Sequence, residues 1–250
     1  NNGDVYITGQ FSSPVFSFGS STLNNSNSGA YTNDVFVVKL NGNNGNVLWA
    51  ISANGDGDDF ALDIDIDNTG NPIITGYFQQ ADDITFGSLT LTKPCHNWGM
   101  YMVKFTSTGN VDWGLCAEEA NWGGCKGYSL TTDNQDNILV VGTYQFEPVT
   151  FGSTTLTYDI NQGEQIFLAK YDSNGNTLWA KKSSGVNNYG GMAHVPRSIA
   201  ADNQGNVFIT GYFDTDVIQF GNQSLNSSTA PAADIFLVKY NTSGTAQWLK

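Results

Sequence analysis

"NVFITGYF" at residues 206–213 decides the fold, because the chain writes related phrases four times. "GDVYITGQF" stands at residues 3–11, "NPIITGYF" at 71–78 and "NILVVGTY" at 137–144. The glycine in each phrase (Gly9, Gly76, Gly142, Gly211) recurs after 67, 66 and 69 residues. Trp49, Trp113, Trp179 and Trp248 recur after 64, 66 and 69. The Phe-Gly pairs beginning at Phe18, Phe86, Phe151 and Phe220 recur after 68, 65 and 69. Three independent markers agreeing on one period establish an internal repeat of about 66 residues.

A complete unit is read from Arg197 to Lys250. "RSIAAD" is strand A, "NQGN" a turn, "VFITGYF" strand B, and a long connection containing "IQFGNQSL" follows. Strand C is "DIFLVKY", "NTSG" is a turn, and "TAQWLK" is strand D. The turns recur as well, "DNTGN", "DNQDN" and "DNQGN" between A and B, "NGNNGN", "TSTGN", "DSNGN" and "NTSGT" between C and D. Asn and Asp bond locally to the backbone and Gly accepts positive φ, so such short loops are hairpin turns. In "DVFVVKL" the period of two puts Val35, Val37 and Lys39 on one face and Phe36, Val38 and Leu40 on the other. Both faces are apolar, as a sheet covered by neighbours on both sides requires.

These observations predict an all-β chain, a β-propeller of four-stranded antiparallel blades or a stacked array of the same units. The repeats are drawn as residues 1–60, lacking strand A, then 61–126, 127–196 and 197–250. With the first strand A missing, the expectation is a segment of a larger propeller or array. The composition sets 10 Lys and Arg against 23 Asp and Glu, a net charge of -13, which disfavours a nucleic-acid partner. No apolar run reaches the roughly 20 residues of a membrane-spanning helix. Charged residues make up only 13% of the chain while Asn, Gly, Ser and Thr fill the gaps, the pattern of a β-rich extracellular surface.

The phrase G-N-x-x-I-T-G-x-F, then F-G-x-x-x-L, then D-x-F-x-V-K-x-N-x-x-G-N-x-x-W-A resembles the SBBP-type β-propeller repeat over nearly the whole chain. That resemblance implies a bacterial, Bacteroidetes-like secreted or cell-surface protein exported by the type IX system, and it brings no catalytic residues with it. The second repeat departs from the pattern, with "KPCHNWGM" before strand C and "WGLC" in place of Trp-Ala.

Candidate site residues gather on one rim. If the A–B and C–D turns share one rim, the B–C and D–A connections share the other. That second rim holds the irregular residues Trp98, Trp122, Tyr189, His96 and His194, the candidates for ligand binding. Asp56, Asp58 and Asp59, with Asp82 and Asp83, are either oxygen ligands for Ca²⁺ or a solvated acidic loop. "DIDID" at 63–67 is strand A, with Leu62, Ile64 and Ile66 facing inward, rather than a calcium loop. Cys116 and Cys125 bracket "AEEANWGG" and suggest a disulfide; three thiols, or a pair with Cys95, are the alternatives. The repeated Lys39, Lys104, Lys170 and Lys239 read as structural cations, and the repeated tryptophans as packing anchors. The functional expectation is a non-enzymatic surface scaffold, adhesin or binding platform whose partners are glycans, other surface proteins or further repeats. The alternatives are a carbohydrate-active enzyme using rim carboxylates, or an architectural stalk.

Overall fold

The computed structural model describes residues 3–27, 29, 32–79, 83–92, 97–119, 122–186, 194–228 and 232–250. Each sheet is antiparallel and follows the repeat. The first unit has strand B at Val5–Phe11, C at Asp34–Leu40 and D at Val47–Asn54. The second has A at Asp59–Ile66, B at Pro72–Phe78, C at Gly99–Phe105 and D at Val111–Cys116. The third has A at Gly124–Thr132, B at Ile138–Gln145, C at Gln165–Tyr171 and D at Thr177–Val186. The fourth has A at His194–Ala201, B at Val207–Phe213, C at Asp234–Tyr240 and D at Ala246–Leu249. No helix among the described residues is long and apolar enough to cross a membrane.

Strand A therefore starts at Asp59, Gly124 and His194, ahead of the boundaries drawn at 61, 127 and 197. The cause is a bulge in every strand A, at Ala61/Asp63, Gly127/Ser129 and Pro196/Ser198. Only the part after the bulge is alike in sequence. The bulge also explains the recurring glycine of strand B. A Cβ on Gly76, Gly142 or Gly211 would run into the carbonyl oxygen of Phe60, Lys126 or Val195 on the bulged strand.

The B–C connection, read from sequence as a long loop, contains a two-stranded hairpin turned at the Phe-Gly pair. The hairpins are Val15–Phe18 with Ser21–Asn24, Asp83–Phe86 with Leu89–Thr92, Val149–Phe151 with Thr154–Leu156, and Val217–Phe220 with Gln223–Asn226. Each of the last three reaches back to the preceding unit. The second pairs Phe86 with Ala53, the third Thr150 with Glu118, and the fourth Phe220 with Ser183. The hairpin phenylalanine meanwhile packs on its own strand C. Ring centroids lie 5.4 Å apart for Phe86 and Tyr101, 4.7 Å for Phe151 and Phe167, and 5.2 Å for Phe220 and Phe236.

The seam between units repeats one fitting. The Trp49 indole N–H donates to the Ser107 carbonyl in the next C–D turn at 3.1 Å, and Trp113 does the same to Ser173 at 3.1 Å. Lys39 and Lys104 Nζ donate to those same carbonyls at 3.2 Å. The turn glycine two residues on lies against the indole: Gly109 on Trp49, Gly175 on Trp113 and Gly244 on Trp179, with φ of 90°, 82° and 74°. Positive φ and close approach together require glycine there. The lysines also pair with an Asp of their own unit, Lys39 with Asp4 at 3.2 Å, Lys104 with Asp67 at 3.0 Å and Lys170 with Asp133 at 2.8 Å. Asp67 and Asp133 in turn accept N–H bonds across their A–B turns, from Thr69 and Asn71 and from Gln135 and Asn137. The cations are structural, as their recurrence suggests.

Seams hide both faces of each inner sheet, so every residue of strand C in the second and third units is buried. A fully buried side chain of this kind contributes roughly 1.5–3 kcal/mol. Successive A strands are stitched by side chains. Asp63 accepts from the Leu130 N–H at 2.9 Å and from the Ser129 hydroxyl, and Asp65 accepts from the Thr132 N–H at 2.7 Å. "DIDID" is strand A as expected, but Leu62 is 38% exposed rather than inward, and it is the Asp side chains that reach the neighbouring unit.

Candidate functional site

The antiparallel register gathers the ends of strand B and the starts of strands A and C on one rim. Phe60 faces Tyr77, Gly99 faces Phe78, Gly124 faces Gln145 and His194 faces Phe213. Across three units this rim carries a strip of aromatic and charged side chains. Phe60 and Tyr77 stack with centroids 4.8 Å apart. Lys126 Nζ lies 3.7 Å from the Trp98 ring centroid, 5.4 Å from that of Tyr77 and 3.9 Å from Glu164 Oε1. Arg197 lies over Tyr212 at 5.1 Å.

Electrostatics marks the middle of the strip. Burial pushes the Lys126 ammonium down, with Glu164 opposing, and pushes the Glu164 carboxyl up, with Lys126 opposing. For both groups, loss of water outweighs their mutual attraction. Burial and the nearby Glu164 carboxylate push the Tyr128 phenol up to about 12, so it stays protonated. The strip thus offers aromatic faces, an ammonium and a phenol donor, and a carboxylate acceptor to a hydroxyl-rich ligand.

The expected residues divide. Trp98 sits within the strip, between Lys126 and the backbone of Gly124. Trp122 is 66% exposed, and its carbonyl accepts from Asn97 Nδ2 at 2.8 Å. His96 and Tyr189 lie outside the described residues. His194 is fully buried at the start of strand A, beyond the reach of a rim ligand. Its Nδ1 meets Ser183 Oγ at 3.2 Å and its Nε2 meets Thr215 Oγ1 at 2.8 Å, so it bridges strand D of one unit to the hairpin connection of the next.

Burial, opposed by Asp214, pulls the His194 imidazole down to about 4. Between that value and the unfolded value near 6.5 the unfolded chain binds a proton that the folded chain refuses. Stability therefore falls on acidification through this window, by about 3 kcal/mol in total. Denaturation midpoints measured from pH 7 to pH 4 are expected to show this loss, and His194→Gln to flatten the part of the slope above pH 5. An unchanged slope in the variant would assign the acid sensitivity elsewhere.

The three candidate calcium ligands diverge. Asp56 is exposed, Asp58 Oδ1 accepts from the N–H and the side-chain amide of Asn33 at 2.9 and 2.7 Å, and Asp59 is 2% exposed. Among the described residues, no group of three or more His, Cys, Asp or Glu is arranged to hold a metal ion. No disulfide joins Cys116 to Cys125. Cys116 packs with the hydrophobic cluster of the first seam, while Cys125 is buried in that of the second, so the two side chains serve different cores. Sequence reasoning passed over Tyr77, Lys126, Tyr128, Glu164, Arg197 and Tyr212. The available signal was a lone cation, Lys126 or Arg197, inside an otherwise neutral strand A.

Fold and rim together define a repeat protein of β-propeller-like architecture, all-β with four-stranded antiparallel units. The chain is similar to the uncharacterized WD repeat-containing protein L264 of Acanthamoeba polyphaga mimivirus, with 25% identity over 255 residues. The match covers 86% of this chain and 18% of that protein, so the chain spans a small part of its relative. A crystal structure of a protein of unknown function from Bacteroides caccae aligns at 10% identity with a TM-score of 0.26, covering 86% of this chain and 89% of that one. No protein-family model matches the chain.

Proposed function

We propose that this chain is a non-enzymatic binding module, an SBBP-like portion of a β-propeller displayed outside a Bacteroidetes-like bacterial cell, whose irregular rim holds a glycan. Further units of the same kind complete the ring. The extracellular setting follows from the SBBP resemblance and from the sparsely charged, Asn- and Gly-rich surface. The observation that carries the binding reading is the Trp98–Lys126–Glu164 group, a desolvated ion pair against an aromatic face on the rim where the repeats differ. The opposite rim consists of near-identical turns and offers a partner little to distinguish.

A glycan array probed with the wild-type chain, followed by titration of any hit, tests this reading. Trp98→Ala is expected to weaken binding by about tenfold or more, and Asn174→Ala in a C–D turn to leave it unchanged. Incubated glycan is expected to be recovered intact. Binding that survives Trp98→Ala together with Lys126→Ala would overturn the placement, and hydrolysed product lost in Glu164→Gln would establish the enzyme instead.

A further inference from the structure

The bulge in strand A frees one side chain per unit from the ladder. Against strand B the register steps from Ala61 to Asp63, from Gly127 to Ser129 and from Pro196 to Ser198, so Leu62, Tyr128 and Arg197 are the extra residues. A bulge re-aims the side chain of its extra residue. Leu62 is 38% exposed, Tyr128 is partly buried and Arg197 is exposed. The bulge recurs at equivalent places in the three strands, but the residue it frees does not: one is apolar, one a phenol and one a guanidinium. The backbone feature belongs to the fold, which leaves the choice of side chain free to answer a ligand.

Arg197 is the only arginine in a chain whose net charge is -13. Among the described residues it forms no ion pair, and its guanidinium lies over the Tyr212 ring at 5.1 Å. Lys39, Lys104 and Lys170 are committed to aspartates and Lys126 to Glu164. The Lys126 and Glu164 charges offset each other, so the unbalanced cation of the strip is Arg197. It is near enough to Tyr128 to oppose part of the rise of that phenol. At the Tyr77 end the nearby charge is the Asp58 carboxylate, which adds to the effect of burial in raising the Tyr77 phenol. The strip is therefore polarised along its length, negative beside Tyr77 and positive at Arg197. A guanidinium laid on an aromatic face keeps its planar fork of donors in one orientation, ready to meet a carboxylate through two parallel bonds.

We propose that Arg197 grips a sugar carboxylate, so that the glycan held by the rim is an acidic one, a uronate or a sialate, with the aromatic strip carrying its neutral part. The inference rests on the reading that the rim holds a glycan, and adds which kind. An acidic peptide would also suit the guanidinium, but a run of its carboxylates would meet Glu164 and Asp58 further along the strip. A sugar bearing an isolated carboxylate brings hydroxyls and apolar ring faces to those places instead.

The test is an array of uronate- and sialate-containing oligosaccharides, each beside its carboxyl-reduced neutral form, with polyglutamate as the peptide arm and titration of the strongest hit. The wild-type chain is expected to bind the acidic form at least tenfold more tightly than the neutral one. Arg197→Gln is expected to weaken the acidic form about ten- to hundredfold and to leave the neutral form unchanged. Arg197→Lys, which keeps the charge and loses the fork, is expected to recover part of the loss. Lys182→Gln, which removes a cation bonded to Thr157 on strand D, is expected to change neither form. Arg197 is exposed, so melting temperatures close to wild type confirm that its variants fold. Equal affinity for acidic and neutral forms would overturn the proposal, as would a preference that survives Arg197→Gln, or tighter binding of polyglutamate than of any acidic glycan. Neutral binding that is lost in Trp98→Ala but indifferent to Arg197→Gln would leave the rim reading standing while this one fell. No binding of either form would remove both.

Discussion

Trp113→Ala is expected to lower the unfolding free energy by about 3 to 5 kcal/mol, the cost of removing a large packed aromatic. The ring covers Gly175 and packs on the core cluster of the second seam, and its N–H donates to the Ser173 carbonyl. Its loss opens a cavity between two units and removes one of the two donors to that carbonyl, leaving the Lys104 ammonium. Trp248→Ala supplies the comparison, because no described glycine lies against Trp248 as Gly109, Gly175 and Gly244 lie against Trp49, Trp113 and Trp179. Trp248 is half-buried with its ring 6.1 Å from that of Phe208, so its expected cost is smaller, about 1 to 2 kcal/mol. Urea denaturation of both variants measures the difference, and equal losses would show that the tryptophan acts within its own sheet.

Lys170→Met is expected to cost about 3 kcal/mol, because it strips the counter-charge from a carboxylate that stays buried. The Lys170 and Asp133 side chains are 5% and 2% exposed and 2.8 Å apart. Burial alone would raise the Asp133 carboxyl, but Lys170, Asn137 and the turn N–H groups outweigh it and hold the carboxyl below its usual range. A depressed carboxyl contributes stability above its unfolded pKa of about 3.9 and loses it as pH falls through the folded value. The gap between wild type and Lys170→Met is therefore expected to be widest near pH 7 and to shrink below pH 4. A gap independent of pH would reassign the loss to packing of the lysine stem.

The four-stranded unit is legible in the sequence because its constraints recur. The strand B glycine answers a bulge, the turn glycine answers a tryptophan, and the alternating apolar residues of strand C answer two neighbouring sheets. Each of those demands is met at every seam, so each leaves a periodic mark. The hairpin partner is not legible, because stretches as short as "DITF" or "VIQF" pair with a strand of the preceding unit and carry no local sign of it. The rim strip escapes for the opposite reason. Lys126, Glu164 and Arg197 each occur at one repeat only, and they meet through strand register rather than through spacing along the chain. His194 misleads because the sequence before it is unlike that of the other repeats, while its ring turns inward between Ser183 and Thr215.

The seam fitting also bears on how such a chain changes length. Tryptophan and lysine are supplied by one unit and the turn glycine and hairpin by the next, so every whole unit carries one outgoing and one incoming half. Duplicating or deleting a whole unit rejoins halves of the same kind and leaves every surviving junction intact. Losing part of a unit spoils the junctions on both its sides. Gene lengths in this repeat are thereby free to drift in steps of one module and are held against smaller ones, with the interlocking turn acting as the reading frame of the architecture.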